Sequence, residues 1–437
     1  MKKTRSDLLN QSNWSRRKVI TALGAGATTA ALGPLILTSA NASPNARIRH
    51  AVIGSGGQGR SHCKQFSGIG ADCCVAAICD VDPDQRRRAL EVLPQGSPVA
   101  EHEDYRRILD DQTIQTISIA TPDHWHTKIA IEAILAGKHV YVEKPCCHNI
   151  HEGNLLVRAA QKYGKCVQHG TQSRSSESVR NAIQFLRDGK LGNVRMAKAI
   201  NHQLRKPIGR ALESDPPTGV NYDLWLGPAP KVPFTKNRWH YNWHWFWDYG
   251  TGDMGNDGIH QVDIARWGLG VEFPDAVTAA GGQLFYDDDH ETPDTQVVTL
   301  EYDHCYLLYE MRLWTDYQCE GHDNGTIFFG DLGKLEVGRR GCFVTLIDKE
   351  PEQIPGQGVS HARNFIDSVI ADDPSKLNAP ISEGFISATL CHLGNIGTRV
   401  GQRLHFDKEY LRFPESEEAT RLCSRDYRDG YQLPVLR

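Results

Sequence analysis

Between residues 48 and 170, short apolar runs alternate with longer amphipathic segments. The strand-like runs are Ala51–Ile53, Val75–Cys79, Ile114–Ala120, His139–Val142 and Cys166–Gln168. The helix-like segments include Pro83–Leu93, Asp104–Asp110, His124–Ala136 and Ile150–Tyr163. This alternation predicts parallel strands joined by right-handed crossover helices, with a ligand crevice at the carboxyl ends of the strands. The residues that end these strands are therefore the first candidates for a functional site.

After Gly170 the pattern changes to strand-like runs that are separated by turn residues. These runs are Val194–Asn201, Ala276–Leu284, Thr295–Tyr302, Tyr306–Arg312, Thr326–Phe329, Lys334–Val337 and Cys342–Ile347. Helical spacing occurs at Ser176–Arg187, Asn256–Leu269, His361–Ile370 and Ser382–Val400. Turn residues such as Asp323-Asn324-Gly325 favour antiparallel hairpins, so this half of the chain is predicted to be an α+β domain with an open sheet.

A glycine-rich turn, Gly54-Ser55-Gly56-Gly57-Gln58-Gly59, follows the first strand-like run and has G-x-G-x-x-G spacing. In a strand–turn–helix unit the first glycine makes the turn, and the second lets the backbone approach a pyrophosphate. The third lets the helix and strand pack closely. Asp80 ends the next strand-like run, 21 residues after Gly59, where a carboxylate accepts hydrogen bonds from an adenosine ribose. Together these features predict a dinucleotide site.

Asp80 also predicts which dinucleotide is bound. A carboxylate repels a 2′-phosphate and accepts a hydrogen bond from a free 2′-hydroxyl, so NAD is favoured over NADP. Arg86-Arg87-Arg88 could in principle hold a phosphate, although such a run is more often a solvated helix face. The predicted cofactor is therefore NAD, with NADP as the weaker alternative.

The length of 437 residues is too great for one compact core, and two main domains are expected. We predict a signal peptide at residues 1–42 and a Rossmann NAD-binding domain at 43–170. A C-terminal α+β substrate and oligomerisation domain follows at 171–410, and a polar tail at 411–437 wraps the surface. The composition, 40% hydrophobic and 23% charged, excludes a disordered or fibrous protein.

Residues 1–42 have the pattern of an export signal. Arg16-Arg17 precede a charge-free run that contains Ala40-Asn41-Ala42, which has the A-x-A form of a cleavage site. A twin-arginine start before a mildly apolar stretch predicts export by the Tat machinery and a periplasmic or otherwise extracytoplasmic location. An uncleaved membrane anchor is the alternative, but the glycines and Pro34 make a poor spanning helix.

The charge and the cysteines narrow the range of partners. Residues 1–42 hold six Lys/Arg and one acid, so 43 basic and 52 acidic residues remain, a formal charge of −9. No basic stripe remains, and a nucleic-acid partner is not expected. The twelve cysteines fit no zinc-binding spacing, and no metal site is predicted. One or two disulfides are compatible with export, but the sequence selects no pairing.

Glu143-Lys144-Pro145 closes the strand-like run that begins at His139. A lysine at the end of a buried parallel strand is expensive to desolvate, so its ammonium is expected to point into the crevice. There it could bind a substrate hydroxyl and transfer its proton. Pro145 favours an extended Lys144 and is compatible with a cis bond. A solvated loop lysine is the alternative.

Several motifs taken together resemble the glucose-fructose oxidoreductase / inositol dehydrogenase (Gfo/Idh/MocA) family, and its Tat-exported branch most of all. They are the glycine turn, Ala120-Thr121-Pro122-Asp123-His124-Trp125-His126, Gly137–Pro145 and Gly258-Ile259-His260-Gln261-Val262-Asp263. The resemblance implies an α/β protein with an N-terminal Rossmann domain. It also implies a C-terminal domain with a large, mostly antiparallel open sheet, which often forms the interface of a homo-oligomer.

The resemblance also implies roles for individual residues. Lys144 would handle the proton, Glu143 would contact a cofactor ribose, and Thr121, Pro122 and His124 would line the cofactor. His260 matches the catalytic histidine; alone, a helical histidine would more often be structural. Many relatives carry Asp four residues earlier, where this chain has Asn256 followed by Asp257. An amide can orient a sugar hydroxyl but accepts no proton at neutral pH, so Asn256 is predicted as a catalytic-site residue that does not itself transfer the proton. This departure puts an Asp-assisted relay in doubt and leaves His260 and Lys144 as the acid–base pair.

The stretch from Arg238 to Tyr249 contains four of the nine tryptophans. Indole faces interleaved with polar side chains suit the C–H faces and hydroxyls of a sugar, whereas the alternative is an apolar plug at a domain or subunit contact. The predicted substrate-contacting residues are Trp243, His244, Trp245, Asp257 and Asp263.

Three functions remain open at this point. The leading hypothesis is an exported NAD-dependent oxidoreductase that takes hydride from a secondary hydroxyl of a sugar, polyol or glycoside and keeps its nicotinamide tightly bound. The second is an NAD-dependent glycoside hydrolase that works by transient oxidation and elimination. The chain lacks the T-H-G-L-G-P-type stretch that we associate with the α-N-acetylgalactosaminidase members. The third is a non-catalytic dinucleotide-binding sensor.

Overall fold

The computed structural model describes residues 47–436, and the predicted signal peptide at residues 1–42 lies outside them. A six-stranded sheet comes first along the chain, in the order β3-β2-β1-β4-β5-β6, and its neighbouring strands run parallel. Its strands are β1 (Ile48–Ile53), β2 (Cys73–Cys79), β3 (Ala100–His102), β4 (Thr116–Ile119), β5 (His139–Val142) and β6 (Val167–His169). The strand order reverses between β1 and β4, and the crevice at such a point is where doubly wound sheets bind ligands.

Helices α1 to α5 connect these strands. They are α1 (Gly57–Ser67), α2 (Pro83–Leu90), α3 (Arg106–Asp110), α4 (Asp123–Leu135) and α5 (Ile150–Tyr163). Asp82 caps α2 by accepting from Asp84 N–H, and Asn149 caps α5 in the same way for Glu152. The sequence pattern missed β3, because this short edge strand has no buried residue and so no apolar run.

A nine-stranded sheet forms the second half, in the order β14-β13-β12-β11-β7-β10-β9-β8-β15. Its strands are β7 (Val194–Asn201), β8 (Ala276–Gly282), β9 (Thr295–Glu301), β10 (Tyr306–Arg312), β11 (Asn324–Gly330), β12 (Gly333–Gly338), β13 (Gly341–Leu346), β14 (Glu352–Ile354) and β15 (Leu404–His405). Among these strands only β7 and β10 pair in parallel. The predicted fold class, a Rossmann domain followed by a domain with a large, mostly antiparallel sheet, is confirmed.

The helices of the second half are α6 (Glu177–Arg187), α7 (Tyr222–Leu226), α8 (Ile259–Leu269), α9 (His361–Ile370), α10 (Ile381–Val400) and α11 (Glu417–Arg421). Helices cover one face of the sheet, so side chains alternate between buried and accessible along β9 and β10. The helix predicted at Asn256–Leu269 is α-helical only from Ile259, because a π-helical turn over Met254–Gly258 precedes α8.

Helix α9 belongs to the C-terminal half of the chain, but it packs against the six-stranded Rossmann sheet and not against the nine-stranded sheet. Phe365 and Ile366 are buried in one cluster with Val52 of β1 and Phe66 of α1, so α9 covers the Rossmann sheet.

The C-terminal tail does not only lie on the surface, because its residues Phe413, Ala419 and Cys423 are buried in the main hydrophobic core. All twelve cysteines are free thiols. Among the helices of residues 47–436, none combines the length and apolar composition needed to cross a bilayer.

Candidate active site

One cavity of about 890 Å³ lies where the carboxyl edge of the six-stranded sheet meets the C-terminal half of the chain. The predicted site residues that line it are Gly54, Gly56, Gly57, Gln58, Asp80, Thr121, Pro122, Glu143, Lys144, Trp243, His244, Asn256, Asp257 and His260. The fold therefore brings the glycine turn, Lys144 and His260 onto the wall of a single cavity.

The glycine turn leaves space for a ligand at its middle glycines. A Cβ added at Gly56 or Gly57 would meet no atom of the described chain within 4 Å. In contrast, Gly54 has φ 87° and an added Cβ there would lie 2.5 Å from Ala120 O, while one at Gly59 would lie 1.8 Å from Gly54 O. No side chain of residues 47–436 caps the start of α1, so its first N–H groups are free to face an anion. This open cradle fits the pyrophosphate of a dinucleotide.

Asp80 lies at the same edge, directly after β2. One carboxylate oxygen accepts from Ser55 N–H at 2.6 Å and the other from Asp82 N–H at 3.0 Å. Burial raises the pKa of Asp80 to about 6, and the two N–H donors oppose this shift. Each oxygen can accept a further hydrogen bond, and the side chain lines the cavity, so it can bind a ribose hydroxyl as well.

Two of the three arginines that follow Asp80 already have partners within the protein. Arg86 Nη1 donates to Asp80 O, and Arg87 forms exposed ion pairs with Asp84 and Glu91. Of the three arginines, Arg88 is the one that lines the cavity. The guanidinium groups of Arg86 and Arg87 therefore bind groups on α2 and next to it, which agrees with the interpretation of this run as a helix face.

Glu143 is held in place by three donors. Its Oε1 accepts from Gln58 Nε2 at 2.8 Å and lies 3.0 Å from His62 Nε2, while its Oε2 accepts from Lys144 N–H at 3.2 Å. Burial acts to raise the pKa of Glu143, but its contacts with His62, Lys144 and Gln58 hold that pKa well below the usual range. Glu143 therefore remains a carboxylate on the cavity wall.

Lys144 reaches across to the C-terminal half of the chain. Its Nζ donates to Asn256 Oδ1 at 3.1 Å, and the peptide bond from Lys144 to Pro145 is cis. Asn256 Nδ2 in turn donates to Asp253 Oδ1 at 2.8 Å and to Tyr241 OH at 3.2 Å. Asn256 is therefore a positioning residue that joins Lys144 to a buried carboxylate.

The π-helical turn before α8 carries both Asn256 and Asp257. Arg205 Nη2 donates to Asp253 Oδ1 at 3.0 Å and also pairs with Asp257. Burial acts to raise the pKa of Asp257, but Arg205 and Lys144 keep that pKa below its usual value. The pKa of Asp253 is raised, mainly by burial and then by Asp257. Of these two acids, Asp257 is the ionised one and lines the cavity, whereas Asp253 does not line it.

His260 follows on the first turn of α8. Its pKa is lowered from 6.5, first by burial and then by the positive charge of Lys144, against the opposing effect of Asp257. Its Nδ1 is buried and has no hydrogen-bond partner within residues 47–436. A neutral imidazole on a cavity wall is suited to accept a proton from a bound hydroxyl.

The tryptophan-rich stretch divides between the cavity and the core. The rings of Trp243 and His244 stack at 3.6 Å, and both line the cavity with Tyr241. Trp245 does not, because its side chain is 1% exposed and packs against His290 at a centroid distance of 5.2 Å. The stretch thus contributes to both the cavity wall and the core, and Trp245 is corrected to a core residue.

Asp263 is also corrected. It is fully buried and accepts from Arg174 Nε at 2.8 Å and Nη2 at 2.9 Å, and from Ser387 Oγ at 2.6 Å. Arg174, with its hydrogen bonds, keeps the pKa of Asp263 at about 2 although burial opposes this. The carboxylate thus ties α8 to α10 and has no surface on the cavity.

Two predicted cofactor contacts are buried behind the cavity wall. Ser55 donates from Oγ to Cys79 O at 3.2 Å and is fully buried. His124 places Nε2 3.0 Å from Trp225 O and is 1% exposed. Gly59 likewise serves close packing of α1 on β1 and does not line the cavity. These residues shape the site without facing it.

The cavity also contains residues that the sequence argument missed. Arg60 lines it one residue after the glycine motif and donates from Nη1 to Gln85 Oε1 at 2.7 Å. A basic residue in the first helical turn was the available signal. Gln172, Trp239 and Tyr241 line it as well. Trp239 and Tyr241 lie in the tryptophan-rich stretch but were not among the five residues predicted to contact substrate, and no local motif marks Gln172.

Comparison with known proteins identifies both halves of the chain. Residues 48–171 match the family model described as "Oxidoreductase family, NAD-binding Rossmann fold", and residues 209–433 match "Oxidoreductase family, C-terminal alpha/beta domain". The predicted cofactor, NAD, is confirmed by the first of these descriptions together with the fit of the glycine turn.

Among curated relatives, a glycosyl hydrolase family 109 protein of Saccharopolyspora erythraea is 32% identical over 204 residues, 42% of this chain and 43% of that protein. Inositol 2-dehydrogenase of an Arthrobacter species is 30% identical over 161 residues, 37% of this chain and 46% of that protein. The chain thus spans about half the length of the curated relatives that it matches.

Among solved structures, the WlbA dehydrogenase of Bordetella pertussis, in complex with NADH and UDP-GlcNAcA, has a TM-score of 0.65 at 20% identity. The match covers 83% of this chain and 98% of that one, so the two share a fold across both domains. With both family models matched in order along the chain, the protein belongs to the Gfo/Idh/MocA oxidoreductase family and carries an NAD-binding Rossmann domain.

Proposed function

We propose that the protein is an exported NAD-dependent oxidoreductase acting on CH–OH groups. It would transfer hydride from a secondary hydroxyl of a sugar, polyol or glycoside to a tightly held nicotinamide. One observation carries this proposal: Lys144 and His260, the two candidate acid–base groups, line the same cavity as the dinucleotide cradle. A dinucleotide-binding sensor would not need a lysine and a neutral histidine at that position.

Different residues along the cavity suit different parts of the cofactor. The N–H groups at the start of α1 suit its pyrophosphate, Asp80 suits a ribose hydroxyl, and Glu143 suits the second ribose. When bound, NAD supplies a nicotinamide carbon that accepts a hydride. The rest of the chemistry falls to the side chains of this chain.

The proton of the substrate hydroxyl is assigned to His260 and Lys144. His260 accepts it as a neutral imidazole, because burial and Lys144 keep its pKa low. Lys144 Nζ binds the oxygen that loses the proton, and Asn256 Oδ1 holds Lys144 in position at 3.1 Å. An amide at position 256 takes up no proton, so Asn256 orients Lys144 without joining the transfer.

A hydroxylated ring suits the far end of the cavity. Trp243 offers an aromatic face, and Asp257 and His244 offer polar groups beside it. The curated relatives support this class, since one is named for inositol. The solved WlbA dehydrogenase holds a nucleotide-linked sugar derivative.

A redox glycosidase is the second candidate, because a relative 32% identical is named as a glycosyl hydrolase family 109 protein. In that reaction the substrate would be oxidised, lose its aglycone, gain water and take the hydride back. The same residues would serve, and no net reduced cofactor would accumulate.

One assay distinguishes these functions. Purified protein is incubated without added NAD, with a panel of sugars and nitrophenyl glycosides. Accumulation of a keto sugar or of reduced nicotinamide supports the oxidoreductase. Release of nitrophenol without reduced nicotinamide supports the glycosidase. Neither product, from protein shown to contain NAD, would overturn both and leave a sensor.

We also propose export, which rests on Arg16-Arg17 and Ala40-Asn41-Ala42. Free NAD is scarce outside the cytoplasm, so an exported enzyme would carry its cofactor in the folded state. The test is to fractionate cells that produce either the full chain or a double variant with Arg16→Lys and Arg17→Lys. Equal extracytoplasmic amounts of the two would contradict twin-arginine export.

A homo-oligomer is proposed through the open face of the nine-stranded sheet. On this face Val297 is 44% exposed and Met196 36% exposed. Apolar side chains on an uncovered sheet face favour contact with a second copy. Sedimentation of the protein and of a V297E variant tests this: the variant should sediment as a smaller species, and a monomeric parent protein would contradict it.

A further inference from the structure

The segment of residues 219–241, which we call the clasp segment, belongs to the C-terminal half of the chain but reaches the Rossmann domain. Asn221 N–H donates to Val81 O at 3.3 Å, and Asn221 Nδ2 donates to Glu103 Oε1 at 2.6 Å. At the other end, His240 Nε2 lies 3.4 Å from Asp82 Oδ2. The clasp segment is therefore anchored at both ends to residues that follow β2 and β3.

These anchors lie on the wall of the cavity. Val81, Asp82 and Glu103 line it beside Asp80, the residue that suits the adenosine ribose. From the clasp segment, Leu224, Trp225, Trp239 and His240 line it as well. The adenosine end thus has one wall from each half of the chain.

The chemistry of the second wall suits a nucleoside. The Trp239 ring lies at a centroid distance of 4.7 Å from His240, tilted by 56°, and of 5.3 Å from Trp225, tilted by 50°, so the three rings form an angled aromatic wall. The face of one such ring can bind a purine by stacking, while Asp80 and Asp82 on the opposite, Rossmann wall provide acceptors for hydroxyls. His240 also has φ 53°, a left-handed conformation that residues other than glycine adopt rarely.

We propose that the clasp segment forms the outer wall of the adenosine subsite and must move before a dinucleotide can leave. The contacts of Asn221 with Glu103 and of His240 with Asp82 hold this wall against the Rossmann domain. Their loss would speed cofactor release without altering the Lys144–His260 end of the cavity. The proposal rests on NAD binding within the proposed function, and is independent of which hydroxyl is oxidised.

The test uses two substitutions that spare the local backbone. Asn221→Asp keeps an oxygen to accept Leu224 N–H, the cap of α7, but places a carboxylate against Glu103. His240→Gly removes the ring and tolerates the positive φ. Lys236→Ala is the matched control, because Lys236 lies in the clasp segment, is exposed and does not line the cavity. Unchanged thermal melting verifies that each variant folds.

ADP-ribose and nicotinamide mononucleotide are the probes, and their dissociation rates are measured by stopped-flow displacement. Asn221→Asp and His240→Gly are expected to release ADP-ribose about tenfold faster each, whereas Lys236→Ala releases it at the original rate. Nicotinamide mononucleotide, which lacks adenosine, should leave all four proteins at the same rate.

Unchanged ADP-ribose rates in both variants would overturn the clasp. Equal acceleration of both probes would also overturn it, because the effect would then belong to the whole cleft. Faster ADP-ribose release with no activity on any hydroxyl substrate would uphold the clasp and contradict the proposed function. Failure of the unaltered protein to bind ADP-ribose would overturn the subsite itself.

Discussion

Lys144 Nζ donates a hydrogen bond of 3.1 Å to Asn256 Oδ1, and this contact joins two residues 112 positions apart in the chain. It connects the end of β5 to the turn before α8 across the cavity. Asn256 also donates to the buried Asp253, so the lysine is oriented by a chain of two hydrogen bonds. The acid–base pair thus depends on both halves of the chain.

Replacing Lys144 by methionine keeps the apolar stem and removes the ammonium. Turnover on any substrate found in the assay above should fall by about 10²–10⁴-fold, since an acid–base group is lost. NAD should still bind, because the glycine cradle is unchanged. Reduced-nicotinamide absorbance measures the first and calorimetric titration the second. Lys162→Met, at an exposed helical position, is the control, and retained turnover in Lys144→Met would remove Lys144 from the mechanism.

The pH profile should report His260. Only a neutral imidazole accepts a proton, and burial with Lys144 lowers the pKa of His260 below 6.5. The midpoint of the acid limb of the rate profile should therefore lie below pH 6.5. Asp257 opposes the lowering, so Asp257→Asn should move the acid limb to still lower pH. The pH dependence of kcat/KM, obtained from initial rates, measures the acid limb of the parent protein and of the variant. A limb at higher pH in Asp257→Asn would contradict this assignment.

Two glycines of the same motif should respond in opposite ways. At Gly56 an added Cβ meets no atom of the described chain, so Gly56→Ala should keep its melting temperature but bind NAD at least about tenfold more weakly, because the methyl group enters the cradle. At Gly59 an added Cβ would lie 1.8 Å from Gly54 O, so Gly59→Ala should lose about 2 kcal/mol or more of unfolding free energy. Denaturation and NAD titration of both variants measure this, and equal behaviour would contradict the cradle.

The buried contact of His62 with Glu143 should make stability depend on pH. Burial opposes the low pKa of Glu143, and the His62 contact is the first that lowers it. A carboxyl group with a depressed folded pKa stabilises the fold above its unfolded pKa of 4.5, and this stabilisation is lost as the pH falls below that value. His62→Leu should therefore cost about 2–4 kcal/mol at about pH 7 and less at about pH 4.

Urea denaturation of the parent and the variant at both pH values measures this difference. His62→Gln is the matched control, since its amide can still donate to Glu143 and should restore part of the loss. A cost for His62→Leu that is the same at both pH values would show that the histidine contributes packing alone.

The sequence by itself determined the parts of the protein that depend on local pattern. Apolar runs separated by amphipathic segments were enough to predict the parallel sheet, because backbone period and burial are encoded within a few neighbouring residues. The glycine turn and Asp80 followed for the same reason, since each function needs a particular residue at a strand end. Together with the motifs around Lys144 and His260, they were also enough to predict the family.

Only the tertiary structure decided which polar side chains face the cavity and which satisfy one another. Asp263 was predicted to contact substrate, but Arg174, 89 residues away, takes both of its oxygens. Asp257, which lies six residues earlier, stays on the cavity wall. The anchoring of residues 219–241 against Glu103 was equally invisible in the sequence. A buried polar group must find a partner, and which partner it finds is set by contacts between distant segments that no local pattern records.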